Sequence, residues 1–187
     1  FLVDMFGNML PAIVPVVRSE FAITLSTTGF LMVALSLASN GMQILTGRMR
    51  ENKSSPLFLH VGMVLAACIC LIVLAPKSFG GIVLLFVFGV VSGSGIAITH
   101  PEGLRAVHTL DRISPTLSTA VFMTSGFFGF ASGGAISAQL VSSYGLKGLC
   151  PLVLLPIAGV AVLVLARVRL STEHVDPHVN STASERN

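Results

Sequence analysis

Charge is what this chain most lacks. Of its 187 residues, 10% are Asp, Glu, Lys or Arg and 53% are hydrophobic, where soluble domains carry about 25% charged residues. The shortage runs over the whole length. It excludes an ordinary soluble domain and points to an integral membrane protein lying in a lipid bilayer. The net charge of +3 is small. Arg48, Arg50 and Lys53 form a basic cluster, but no aromatic stacking platform accompanies it, so no nucleic-acid partner is indicated. The cluster reads as a cytoplasmic loop. Cysteine is scarce too. Cys68 and Cys70 sit two apart in an apolar run, about 200° apart on a helix, and Cys150 opens another such run. They read as core packing, with neither a disulfide framework nor a metal site. His100, Glu102 and His108 match no strong metal-ligand spacing, and no cofactor is indicated.

What is present is a series of long apolar runs. Residues 21–47, 78–99, 113–146 and 148–166 carry no charge. Residues 56–76 are interrupted only by His60, and residues 1–17 only by Asp4. A spanning helix needs about 20 apolar residues. Six candidate spans result, at about 1–17, 26–46, 57–76, 80–99, 115–140 and 148–167. Ser114 followed by Pro115 predicts a helix start, because proline's missing N–H has no intrahelical partner in the first turn. Arg48, Arg50, Lys53, Arg105, Arg112, Arg167 and Arg169 fall on one side, against Arg18, Lys77 and Lys147 on the other. The richer side is expected to be cytoplasmic, with both chain ends there and the protein multi-pass in the cell inner (plasma) membrane.

The first span is short at its start. Asp4 to Arg18 covers about 21 Å of helix, against a hydrocarbon core of about 30 Å. No initiating methionine is present, and there is no basic n-region or small-residue cleavage site of a signal peptide. The expectation is a fragment whose first helix is truncated. Residues 1–167 would form the membrane unit, and the polar stretch 168–187 a cytoplasmic tail or linker. The sequon Asn180-Ser181-Thr182 then lies on the wrong side for glycosylation.

Two places put ionisable groups into these runs. Asp4 is expected inside the hydrocarbon, where a charge costs about 2.5–3.5 kcal/mol on insertion scales. It must face a cavity, pair with a cation or be protonated. Asn8, Pro11 and Pro15 share its helix face, making one side of the first span polar and proline-rich. The second place is His100-Pro101-Glu102, with Arg105 one turn on. Proline disfavours a helical His100, so the helix should break or kink near the cytoplasmic edge. The cluster then reads either as an interfacial helix end or as part of a site. Asn40, Gln43 and Gln139 are expected to make interhelical hydrogen bonds. In the fifth span Ser125, Gly129, Gly133 and Ser137 recur every four residues, a smooth stripe that permits close helix packing.

Six spans with both ends inside, a charged loop between spans two and three, and a glycine-rich fifth span resemble the N-terminal half of a major facilitator superfamily transporter. More narrowly, His100-Pro101-Glu102-Gly103-Leu104-Arg105 and the first span around Asp4 are similar to the fosmidomycin-resistance-protein branch. The sequence departs from the family pattern in two ways. "TGRMRENKS" lacks the usual aspartate of the loop between spans two and three, and "GFFGFASGGA" lacks the usual Gly-Pro of the fifth span.

The resemblance implies an all-α fold of six transmembrane helices as a 3+3 inverted repeat, in which spans one and four are equivalent. It implies secondary active transport, not an enzyme. The expected activity is proton-coupled efflux of a drug-like or small anionic molecule by alternating access, with a C-terminal six-helix half missing here. Asp4 would exchange a proton, with Asn8 on the same pathway. Glu102 and Arg105 would form or break a charge pair, and His100 could change charge near neutral pH. The fifth-helix stripe would lie at the seam with the missing half, leaving Gly129 and Gly133 lipid-exposed or poorly packed here. Two other readings stay open: a non-transporting six-span protein, and an intramembrane enzyme using His100 and Glu102, for which no nucleophile or metal stands out.

Overall fold

A computed structural model describes residues 1–50, 55–110, 113–168 and 170. Expectations for Lys53, Arg112, Arg169 and the tail from residue 171 onward lie outside the described residues, as does the side chain of Arg50. Every regular element among the described residues is helical. In chain order they are α1 (Leu2–Gly7), α2 (Met9–Phe21), α3 (Leu25–Arg50), α4 (Leu57–Ala66) running into a 3₁₀ segment (Ala67–Leu74), α5 (Phe79–Val107), α6 (Pro115–Tyr144), a second 3₁₀ segment (Gly145–Val153), and α7 (Leu154–Leu165).

Four stretches are long and apolar enough to cross a membrane: Leu25–Met49, Leu57–Leu74, Phe79–Val107 and Pro115–Leu165. The protein is a multi-pass membrane protein. The last stretch is 51 residues long and turns at Gly145, whose φ of +63° suits a residue without a side chain. The first candidate span falls on α1 and α2, which are separated by Asn8 alone.

Local chemistry sets the ends of these helices. The Ser114 hydroxyl accepts a hydrogen bond from the Leu117 N–H at 3.4 Å, with Pro115 in the first turn, as the sequence predicts. Thr24 caps α3 in the same way, accepting from the Thr27 N–H at 3.1 Å. Arg48 and Arg50 lie in the last turn of α3 and not in the loop expected from their charge. Arginine is a good helix former, and a cation suits the negative end of the helix dipole.

Helix α1 sits at the centre. Met5, Phe6, Met9, Leu10, Ile13 and Val17 of α1 and α2 are buried, and α1 touches α4, α5, α6 and α7. Its closest neighbour is α6. A Cβ at Gly129 or Gly133 would overlap the carbonyl of Phe1 or Met5. Both glycines are buried, as is Ser137. This corrects the expectation that Gly129 and Gly133 face outward at a half-to-half seam. The stripe brings α6 against the backbone of α1, because a central helix touched from several sides needs one neighbour without side chains in the way.

A comparable device on α5 escaped the sequence reading. The α5 backbone approaches α3 at Gly93 and α4 at Gly95. The buried Ser92 hydroxyl donates to the Ala66 carbonyl at 2.6 Å, where α4 tightens into its 3₁₀ turn.

Candidate functional site

Helix α5 does not end at His100. It continues through Pro101 to Val107, which corrects the expectation of a break. Proline removes the hydrogen bond to Ala97 and costs about 3 kcal/mol in a helix interior. Two side chains reach back to the preceding turn. Thr99 Oγ1 donates to the Gly95 carbonyl at 2.8 Å. His100 Nδ1 lies 2.8 Å from the Ile96 carbonyl. These contacts are to the Gly95 and Ile96 carbonyls, beside the Ala97 carbonyl that Pro101 leaves without its helical donor.

The uninterrupted helix carries His100 to α1. His100 Nε2 and Asp4 Oδ1 are 3.1 Å apart. Asp4 combines two of the solutions open to it: it pairs with His100, 96 positions away in sequence, and lines a cavity. Both side chains are about one-quarter exposed, at 26% for Asp4 and 28% for His100.

The geometry counts protons. A carbonyl oxygen only accepts, so Nδ1 carries a hydrogen wherever it bonds to Ile96. In a neutral imidazole the other nitrogen then has none. Nε2 can then bond to Asp4 only if one further proton lies between them, on the ring or on the carboxyl. With that proton the pair is a bond of net charge zero. Without it, a lone pair faces a carboxylate. The Asp4 and Ile96 contacts are both hydrogen bonds only when one further proton is bound; the neutral tautomer protonated on Nε2 makes the Asp4 bond alone.

The pair lies in the wall between two cavities. The larger, about 570 Å³, is bordered by α1, α4, α5, α6 and α7, with Leu2, Leu59, Met63, Val107 and Leu163 in its lining. The smaller, about 300 Å³, is bordered by Phe122, Met123, Gly126, Phe127 and Phe130 of α6. Asp4 and His100 are the ionisable side chains common to both linings.

The remaining candidates are placed elsewhere. Glu102 is fully buried on α5, about 200° round the helix from His100, and Arg105 Nη1 donates to its Oε1 at 3.2 Å. The Glu102–Arg105 ion pair is real, but neither residue lines a cavity with Asp4. Asn8 donates through Nδ2 to the Phe130 carbonyl at 2.9 Å, tying the α1–α2 junction to α6. Pro11 and Pro15 are exposed on α2. Ser125 donates to the Phe122 carbonyl and Ser137 to the Gly134 carbonyl, both within α6. Asn40 and Gln139, expected to bond between helices, bond within their own, to the Ser36 carbonyl and to Ser143. The aromatic lining from α6 was not singled out in the sequence. Its signal is the spacing of Phe122, Gly126 and Phe130 at every fourth residue.

Comparison with known proteins agrees with this architecture. The family model of the Major Facilitator Superfamily matches residues 1–186. The chain belongs to the major facilitator superfamily. Over 171 residues it is 26% identical to the fosmidomycin resistance protein of Escherichia coli (strain K12), covering 91% of this chain and 41% of that protein. Over 145 residues it is 27% identical to the uncharacterized MFS-type transporter YfnC of Bacillus subtilis (strain 168), covering 78% of this chain and 35% of that one. The chain thus spans about two-fifths of the length of these relatives. No solved structure matches it. The family, and the printed name of the second relative, point to a transporter and not to an enzyme.

Proposed function

We propose that this chain is the N-terminal half of a proton-coupled transporter that exports a small molecule by alternating access. The observation carrying the reading is the Asp4–His100 contact, which joins α1 to α5 beside two cavities through two groups able to exchange a proton. Among the described residues, no other ionisable side chain from α1, α4, α5, α6 or α7 lines the two cavities at the pair. Loss of that proton would weaken the tie between α1 and α5, and a tie between helices that depends on a proton is what coupling requires.

In this reading the chain crosses the membrane six times as a 3+3 inverted repeat. α1 with α2, α3, and α4 with its 3₁₀ segment form one triplet. α5, α6, and α7 with its 3₁₀ segment form the other. The pair then joins the opening helices of the two repeats, where family folds place their sites. By the distribution of Lys and Arg, both ends lie on the cytoplasmic face of the inner membrane. A C-terminal six-helix half would complete the transporter. The Glu102–Arg105 pair near the cytoplasmic end of α5 would loosen as that side opens.

The partner face of the missing half is better sought on α3 than on α6. Gly29, Gly41 and Gly47 have no atom within 4 Å of where a side chain would begin. Phe30, Val33 and Leu37 of the same helix are exposed.

The test is transport by the complete protein in proteoliposomes under an imposed pH gradient. Asp4→Asn should abolish proton-driven transport while the protein still purifies as a folded species. Full proton-driven transport in that variant would show the aspartate to be structural and overturn the reading.

A further inference from the structure

A third cavity lies away from the Asp4–His100 pair, at the end of α2 and beside the turn after α6, and the transport reading does not use it. Its volume is about 260 Å³. Phe21 and Leu146, both buried, are in its lining, together with Glu20, Lys77, Tyr144 and Lys147. Charge at this end of the helices is unbalanced. The connections here hold Arg18, Lys77 and Lys147, with Glu20 as their carboxylate. Glu20 is ion-paired to Lys77. Lys147 is exposed and, among the described residues, forms no ion pair. Its ammonium is left for an anion from outside the chain. Lys77 can serve the same anion while it holds Glu20, because an ammonium has three donors.

We infer that this cavity binds the phosphate group of a membrane lipid, with Lys147 and Lys77 on the phosphate oxygens and the glycerol against Phe21 and Leu146. Lysine binds phosphate as a compact charge through short, charge-assisted hydrogen bonds. Three features favour a lipid over a free phosphate ion. The buried Phe21 and Leu146 give the cavity an apolar floor, which a free ion has no use for. Tyr144 is 71% exposed at the rim, and tyrosine is enriched at the level of lipid headgroups, where one end of the ring is apolar and the other wet. The volume falls below the range of about 300–1,000 Å³ for whole small-molecule ligands. It suits a headgroup whose chains stay in the bilayer. In the six-pass arrangement this end faces outward, so the lipid belongs to the outer leaflet. The inference uses that arrangement for the leaflet alone and does not depend on proton coupling.

The test titrates the complete purified protein, in a neutral detergent, with dioctanoyl phosphatidylglycerol and counts bound lipid by native mass spectrometry. Dioctanoylglycerol, which lacks the phosphate, is the control, and the phospholipid should bind at least about tenfold more tightly. Lys147→Gln changes an exposed side chain outside any ion pair and should still fold. It should weaken phospholipid binding about fivefold, the size of one lysine's attraction to an anionic lipid surface, and Lys147→Arg should retain it. Glu20→Gln removes the opposing charge and frees Lys77, so it should tighten binding by roughly two- to fivefold, a gain that a purely structural role would not produce. Equal binding of the two lipids, or undiminished phospholipid binding in Lys147→Gln, would overturn the proposal. Inorganic phosphate should displace the lipid only at far higher concentration. Displacement at equal concentration would keep the phosphate chemistry and overturn its assignment to a lipid.

Discussion

The contact between a carboxylate on α1 and an imidazole on α5 is the smallest unit on which the proposed coupling turns. In that proposal Asp4 and His100, 3.1 Å apart, act as one unit and not as two independent groups. Their effects on coupling should therefore not add. His100→Gln keeps a polar side chain but cannot carry the proton. It should slow proton-driven transport by more than about tenfold, equivalent to about 1.4 kcal/mol, and Asp4→Asn should do the same. The double variant should be no worse than either single one, a coupling that a double-mutant cycle measures directly. Additive losses would show two separate roles. That Asp4 needed a cavity, a partner or a proton was legible from its position in an apolar run. The identity of the partner was not, because nothing local connects residues 96 positions apart.

At the scale of the helices, packing is governed by where side chains are missing. The α6 stripe was legible as a close-packing face, but its partner was read wrongly. In lipid, a helix face against another helix and one against acyl chains have the same polarity, so periodicity reveals a smooth face without naming what covers it. The structure makes a contrast available. Gly133→Ala would push a methyl into the Met5 carbonyl, whereas the same change at Gly41 meets nothing within 4 Å. Gly133→Ala should destabilise the protein by about 1–3 kcal/mol, the usual cost of overpacking. Gly41→Ala should leave stability within about 0.5 kcal/mol. Thermal unfolding of both variants in detergent checks this, and similar melting temperatures would place α1 farther from α6 than the structure has it. Helix α5 teaches a related lesson. Pro101 reads locally as a break or a kink, yet the helix continues through it to Val107.

For the whole molecule, the question is how many times the chain crosses the membrane and in which direction. Arg48 ends α3, and Arg167 follows α7. With six passes both must lie on one face. Cysteines placed at these two positions, in a background lacking Cys68, Cys70 and Cys150, should react with an impermeant reagent from the same side of sealed vesicles. Labelling from opposite sides would defeat the six-pass arrangement. Length and hydropathy by themselves mark four stretches. α1 with α2 is divided at Asn8, and Pro115–Leu165 folds back at Gly145.

The sequence by itself determined that this is a helical membrane protein, where several helices begin, and that Asp4 and the His100 region are the costly exceptions to an apolar pattern. Each of these follows from composition or from spacing along one helix, and both are properties of the linear chain. The tertiary structure alone decided that Asp4 meets His100, that Glu102 turns away to Arg105, that α6 spends its glycines on α1, and that three phenylalanines open beside the carboxylate. All four depend on which helix lies beside which. Where lipid and protein interiors are equally apolar, burial pattern cannot encode that choice, and steric fit between backbones, together with a few hydrogen bonds, settles it.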